Sequence, residues 1–392
     1  MMVTVIKVLS VGLTVAADLF YLLSLFAAYK FFSEKRRNHR SDQPPVTIMI
    51  PLHGADSGAY RSYEQLCQQD YPRYQLIFGV REREDSSIPI VERVIREFPD
   101  QDIELVVCAK TIGENLKVSN LHNMLERARY EHLLIVDSDI RAGSDYLRRV
   151  IAELSGDRVG LVTCLYRASE APGLAGKLEA IGMTAEFAPG VLTARLLEGV
   201  KFALGSTMAT TRARLDAIGG FAALADYLAD DFMLGNLIAE DGYEVRVSQY
   251  VVETAASHAG FMGMIRHQIR WARSTRISRP MGYLGLILTY GTALALLNAV
   301  LAHGSEFSLG LLGATLVIRL TMAWLVGVHW LKDRILRNYF WLVPVRDLLS
   351  FAIWCASWVG RKVEWRGRQF EVSHDGKMVE VRREEAYAAQ ID

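Results

Sequence analysis

Asp137-Ser138-Asp139 follows directly on the apolar run Leu133-Leu134-Ile135-Val136. Such a run between polar flanks reads as a buried strand. The two carboxylates then stand at a strand end, spaced so that both can reach one hard cation as the chain turns away. Mg2+ and Mn2+ take oxygen ligands, commonly one or two carboxylates with phosphate oxygens. A cation there would neutralise charge on a departing diphosphate. The competing reading is an acidic turn that caps the next helix.

Four other stretches carry reactive types. Arg81-Glu82-Arg83-Glu84-Asp85 follows a second strand candidate, 75–80, and can set a carboxylate near a base or ribose; a solvated charged loop is the alternative. Lys110, Gly113, Asn115, Lys117 and Asn120 open a helix, where lysine charge and N-terminal amides suit a diphosphate. Asp230-Asp231 lies early in a helical run. One carboxylate there favours the helix dipole, and the second is left to take a proton from an acceptor hydroxyl within hydrogen-bond reach. His267-Gln268-Ile269-Arg270-Trp271-Ala272-Arg273-Ser274-Thr275-Arg276 is a basic helical stretch. It reads as membrane-surface anchoring, with phosphate binding by Arg270 and stacking by Trp271 as the sharper alternative.

The elements that must position these residues are legible as a pattern. Strand candidates at 46–50, 75–80, 103–108, 132–136 and 159–164 alternate with helices near 60–69, 89–97, 117–129 and 146–154. That alternation predicts a doubly wound, mostly parallel α/β sheet, whose ligands bind beyond the carboxyl ends of the strands.

The 392 residues are 51% hydrophobic and 22% charged, the signature of apolar segments added to a globular domain. Formal net charge is zero, so no bulk attraction to nucleic acid is implied. Cys67, Cys108, Cys164 and Cys355 are scattered without metal-ligand spacing and read as reduced, buried thiols. The run 8–29, charged only at Asp18, is long enough to cross a bilayer. Lys30, Lys35, Arg36, Arg37 and Arg40 follow it and place its end in the cytosol. Runs 282–302 and 308–331, the latter containing Arg319, read as a transmembrane hairpin between basic cytosolic flanks. The run 339–360 holds Pro344, Arg346 and Asp347. It either spans, the reading preferred here, or lies as a re-entrant or interfacial helix; the side of the C-terminus stays open.

Taken in order, Pro51-Leu52-His53-Gly54-Ala55-Asp56, Gln69-Asp70-Tyr71-Pro72, 80–85, Lys117-Val118-Ser119-Asn120-Leu121, Asp137-Ser138-Asp139, Gly219-Gly220-Phe221, Ala229-Asp230-Asp231 and Arg270-Trp271 form a specific set. The chain resembles the ceramide glucosyltransferases, glycosyltransferase family 21, and is closer in detail to their bacterial hopanoid-associated relatives. The resemblance implies a GT-A type fold, a UDP-sugar donor, Mg2+ or Mn2+, and inverting transfer. It makes Asp231 the catalytic base and Asp137 with Asp139 the metal ligands. It places Asp85, Lys117, Asn120, Asp137, His267, Arg270 and Trp271 at the donor. His267 departs from the glutamine or arginine of the family motif, and His53 stands where lysine is common.

The expected organisation is a membrane anchor (1–32), a cytosolic catalytic domain (42–280), membrane segments (281–360) and a basic then acidic tail (361–392). The chain is expected as a multi-pass protein of a bacterial inner membrane. It would move a hexosyl group to a lipid hydroxyl, on ceramide or alternatively, as a hexose or N-acetylhexosamine, on a hopanoid. A non-catalytic sugar-nucleotide or lipid-binding protein is the alternative of another class.

Overall fold

The computed structural model describes residues 2–34, 43–56, 58–154, 156, 158–256, 260–360, 362–365, 368–373 and 375–381. Lys35, Arg36, Arg37 and Arg40 of the first basic flank lie outside these residues, as do Arg361, Arg366 and 382–392 of the tail. The chain folds into two compact units, each assembled from three segments. One comprises Met1–Lys35, Arg167–Gly199 and Ala256–Arg361; the other comprises Arg36–Tyr166, Val200–Ala255 and Lys362–Asp392. The stretch expected as one catalytic domain is therefore divided: 167–199 and 256–280 belong to the first unit.

The second unit is built on strands β1 (Val46–Pro51), β2 (Tyr74–Val80), β3 (Asp102–Val107), β4 (His132–Val136), β5 (Val159–Glu170), β6 (Thr207–Thr211) and β7 (Glu244–Ala255). They form one sheet in the order β3-β2-β1-β4-β6-β5-β7. β3, β2, β1 and β4 run parallel, and β6 lies antiparallel to both β4 and β5. Alternate side chains feed two cores, as the period of a strand requires. Ile48, Ile50, Leu76, Phe78, Leu134 and Val136 join one core; Met49, Ile77, Leu133 and Ile135 join the other. Burial on both faces accounts for continuous apolar strands. The register sets Pro51 beside Gly79, and Val80 beside Val107, so the loops after these strands open along one edge.

Where a tail was expected, β8 (Lys362–Trp365), β9 (Arg368–Val372) and β10 (Met378–Glu380) form a three-stranded antiparallel sheet. Phe370, Val372 and Met378 are buried.

In the first unit, the helices Ile6–Ser33, Glu306–Trp330 and Phe340–Ser357 are long and apolar enough to cross a membrane. The protein is membrane-associated. The second apolar run is not a straight hairpin arm: Pro280–Thr289 and Gly291–Leu301 meet at 60°. The Tyr21 hydroxyl bridges the break, donating to the Thr289 carbonyl (2.8 Å) and accepting from the Gly291 N–H (2.8 Å). Backbone groups freed inside a membrane need such partners. Gly291 allows the approach, since a Cβ there would lie 2.8 Å from the Tyr21 ring.

The charged residues of the last run are paired within this unit. Asp347 accepts two bonds from Arg319 (2.6 and 3.1 Å) and one from Thr292 (2.6 Å). Arg346 donates to Glu186 (3.2 Å) and to Gln268 (3.0 Å). The helix Phe340–Ser357 can thus carry both charges at membrane depth. Cys67 and Cys164 are buried as expected, whereas Cys355 is exposed; all four cysteines are free thiols.

Candidate active site

Two loops of the second unit are tied by Asp85. Its carboxylate accepts from the Gly54 N–H (3.1 and 3.0 Å), the Ser87 N–H (2.9 Å) and the Ser87 hydroxyl (2.6 Å). Burial pushes this carboxyl up, but the Ser87 and Gly54 donors outweigh it and hold it below the usual range. Asp85 thus joins the loops after β1 and β2.

Lys117 sits on the helix Leu116–Leu125, whose N-cap is Asn115. The Asn115 side chain accepts from the Lys117 and Val118 N–H groups (2.9 and 3.1 Å). Its amide donates onward to the Tyr227 carbonyl (2.8 Å) and to Asp230 (3.3 Å). One residue therefore sets this helix against the start of the helix Asp230–Glu240. As a result the Lys117 ammonium lies 2.8 Å from Asp137 and 3.6 Å from Asp230. Burial would lower the Lys117 pKa; the carboxylates of Asp137 and Asp230 beside it outweigh burial and push it up.

Asp231 completes the cluster. It accepts from the Gly205 N–H (3.0 Å) and the Phe232 N–H (2.7 Å). A Cβ at Gly205 would stand 3.1 Å from Asp231 Oδ2 and 3.3 Å from Asp137 Oδ2. Glycine therefore lets the β-turn before β6 approach both carboxylates. Burial, then the neighbouring Asp230, push the Asp231 carboxyl up to about 6 against the opposing pull of Lys117.

Asp139 points to β7, accepting from the Thr254 hydroxyl (2.5 Å) and the Ala255 N–H (3.2 Å). Burial, helped by Asp137 and Asp56, raises it to about 6 although Thr254 opposes the shift. Among the described residues no group of three or more His, Cys, Asp or Glu side chains is arranged to hold a metal. Two carboxylates still match a hard divalent ion that keeps water or phosphate oxygens as its other ligands. Asp137 and Asp56 raise Asp139, a repulsion that a hard divalent cation would relieve.

The expected site residues fall into two sets. Asp85, Lys117, Asn120, Asp137, Asp139 and Asp231 belong to the second unit. Asn120 differs from expectation: it is buried, and its amide donates to the Gly79 carbonyl of β2 (2.7 Å). Tucked against the sheet, it ties helix to strand. His267, Arg270 and Trp271 belong to the first unit, on the helix Gly260–Ser278. There His267 Nδ1 lies 3.1 Å from the Glu179 carboxylate, and its ring packs 4.4 Å from that of Trp271. Gly205 and Thr254 were not anticipated, and Asn115 was read as part of a helix opening rather than as the link to Asp230. Only Asn115 had a local signal, an asparagine directly before a helix.

The sequence model described as "Glycosyl transferase family 21" matches residues 11–378. Ceramide glucosyltransferase 3 of Caenorhabditis elegans is 24% identical over 258 residues, covering 64% of this chain and 56% of the relative. The ceramide glucosyltransferase of Candida albicans is 30% identical over 173 residues, 36% of this chain and 32% of the relative. The chain thus spans about half the length, or less, of the curated relatives it matches. Among solved structures, the mannosyltransferase PcManGT from Pyrobaculum calidifontis, in complex with GDP-Man and Mn2+, aligns with a TM-score of 0.57 at 18% identity. It covers 90% of this chain and 99% of the other, and it shows the GT-A type fold. With its family model matched across nearly the whole chain, on a GT-A sheet edged by the expected carboxylates, this chain belongs to glycosyl transferase family 21.

Proposed function

We propose that this protein transfers a hexosyl group from a UDP-sugar to the hydroxyl of a membrane lipid, with inversion at the anomeric carbon. One observation carries the reading. Asp231, a carboxyl raised to about 6, faces Asp137 around Gly205 at the carboxyl edge of the sheet. A base poised near neutral pH is suited to accept a hydroxyl proton. The membrane-associated unit and the ceramide glucosyltransferase relatives support a lipid as acceptor.

In this reading Asp231 takes the proton of the lipid hydroxyl as its oxygen bonds to the anomeric carbon. The bond from that carbon to the diphosphate breaks, and its electron pair leaves with UDP. Lys117, held by Asp137 and Asp230, keeps positive charge beside the diphosphate without being free to drift. Asp137 and Asp139 would hold Mg2+ or Mn2+, which supplies charge neutralisation for the leaving group. Asp85 shapes the nucleotide side by fixing the loops after β1 and β2. The catalytic unit faces the cytosol of a bacterial inner membrane, where UDP-sugars are available.

The test is Asp231→Asn in the full chain. UDP release in lipid extract should fall by at least about a hundredfold, with UDP binding retained. Full activity in this variant would discard the base assignment. Mass spectrometry of lipids from a host offering both ceramide and hopanoid identifies the acceptor. Absence of any UDP release with either lipid would favour a non-catalytic binding protein.

A further inference from the structure

The loop from Ala225 to Leu228, which feeds Asp230 and Asp231, has no ladder of its own. Its backbone groups are satisfied from two sides. On one side stands the start of the helix Leu116–Leu125. The Asn115 N–H donates to the Ala225 carbonyl (2.7 Å), the Asn115 amide to the Tyr227 carbonyl (2.8 Å), and the Glu114 N–H to the Asp226 carboxylate (3.0 Å). On the other side stands the C-terminal sheet. The Met378 N–H donates to the Asp226 carbonyl (2.7 Å), and the Gly376 carbonyl accepts from the Leu228 N–H (3.3 Å). Tyr227 and Lys377 form an antiparallel bridge. Arg368 of β9 reaches Glu114 (3.2 Å) while holding Glu380 of β10 (2.5 Å). The sheet thus grips both elements whose approach sets Lys117 against Asp230.

We infer that the C-terminal sheet β8–β10 is a clasp that positions the Asp230–Asp231 corner, with Arg368 and the Gly376–Met378 backbone as its positioning groups. The backbone bonds carry most of it, because the Arg368 ion pairs are one-third exposed or more and exposed pairs contribute little. A general base needs a fixed distance to the proton it removes, and small displacements cost rate steeply. Buried Phe370, Val372 and Met378 give the sheet an apolar face of its own to hold it in place. Gly376, at φ +88°, makes the turn that aims its carbonyl at Leu228. A side chain there is strained in the left-handed region.

The inference rests on the reading of Asp231 as the base, but its structural half can be tested without it. Hydrogen exchange is followed in the detergent-solubilised full chain for Met378→Pro, which removes the donor to Asp226. Gly376→Val, which strains the turn, is the second variant should the first fail to fold. Expected are amides of 226–232 exchanging at least about tenfold faster while those of β1, β2 and β4 are unchanged. The kcat should fall at least about tenfold with KM for the UDP-sugar within about twofold. Arg368→Lys should keep more activity than Arg368→Ala. Unchanged protection of 226–232 despite freely exchanging β9 and β10 overturns the clasp. Lost protection with undiminished kcat keeps the clasp as architecture and overturns its catalytic role; an active Asp231→Asn protein, read separately, overturns the base assignment instead.

Discussion

Both units bury charge, and they do so differently. In the membrane-associated unit Arg319 and Asp347 are 2% and 3% exposed and close on each other, and Arg346 closes on Glu186. In the sheet unit Asp137, Asp230 and Asp231 share the single ammonium of Lys117, and Asp139 is raised to about 6. A matched pair lets a charged residue exist in an apolar setting. A surplus of acid over base leaves a carboxyl whose protonation is poised, the hallmark of a reacting group. In the proposed reading the Arg319–Asp347 pair is architecture and the Asp231 cluster is chemistry.

Breaking a matched pair should have the largest effect on stability. Asp347→Ala leaves Arg319 buried and uncompensated and should cost about 3–5 kcal/mol, read as loss of monodisperse protein and an early denaturation midpoint in detergent. The double variant Arg319→Met, Asp347→Leu should recover most of it. A double variant no better than the single would mean that the pair does more than neutralise itself.

The poised group should appear as a pH dependence of rate rather than of stability. As the proposed base, Asp231 acts only when ionised, and burial has raised its carboxyl to about 6. Turnover should therefore be steady above that pH and fall below it, approaching about tenfold per unit. An acidic limb centred near 4 would remove the imbalance from the mechanism.

Gly205→Ala sharpens the comparison further. The new Cβ would crowd both Asp137 and Asp231, so kcat should fall about tenfold while the unfolding midpoint holds within about 4 °C. A collapse of stability instead would make Gly205 a folding residue. The smallest effect is expected where charge is neither buried nor surplus. Arg148 and Asp70 pair on the surface, and Arg148→Ala should change stability by less than about 1 kcal/mol.

Much of this was written locally. The strands expected at 46–50, 75–80 and 132–136 appear as Val46–Pro51, Tyr74–Val80 and His132–Val136, because continuous apolar runs bounded by polar turns have few other ways to be buried. The same holds for Asp137-Ser138-Asp139 at a strand end and for three of the apolar runs. β6 escaped notice: Thr-Met-Ala-Thr-Thr has no apolar run. Thr207 and Thr210 are buried only because partners arrive from elsewhere, Tyr146 at Thr207 (2.9 Å) and the Gly160 carbonyl at Thr210 (2.7 Å).

Residue types, strand periodicity and the length of apolar runs thus determined the sheet and the acidic residues that follow its strands, while the ordered motifs carried the resemblance to the family. Tertiary structure alone decided that Asn120 turns into the sheet, that Asp139 leans on β7, and that Arg346 and Asp347 find separate partners. It also decided that the run 282–302 breaks over Tyr21 and that a supposed tail becomes a sheet against the Asp226 loop. The physical reason is common to all five. Local sequence sets which backbone and side-chain groups need partners, whereas the identity of each partner depends on contacts from segments distant along the chain.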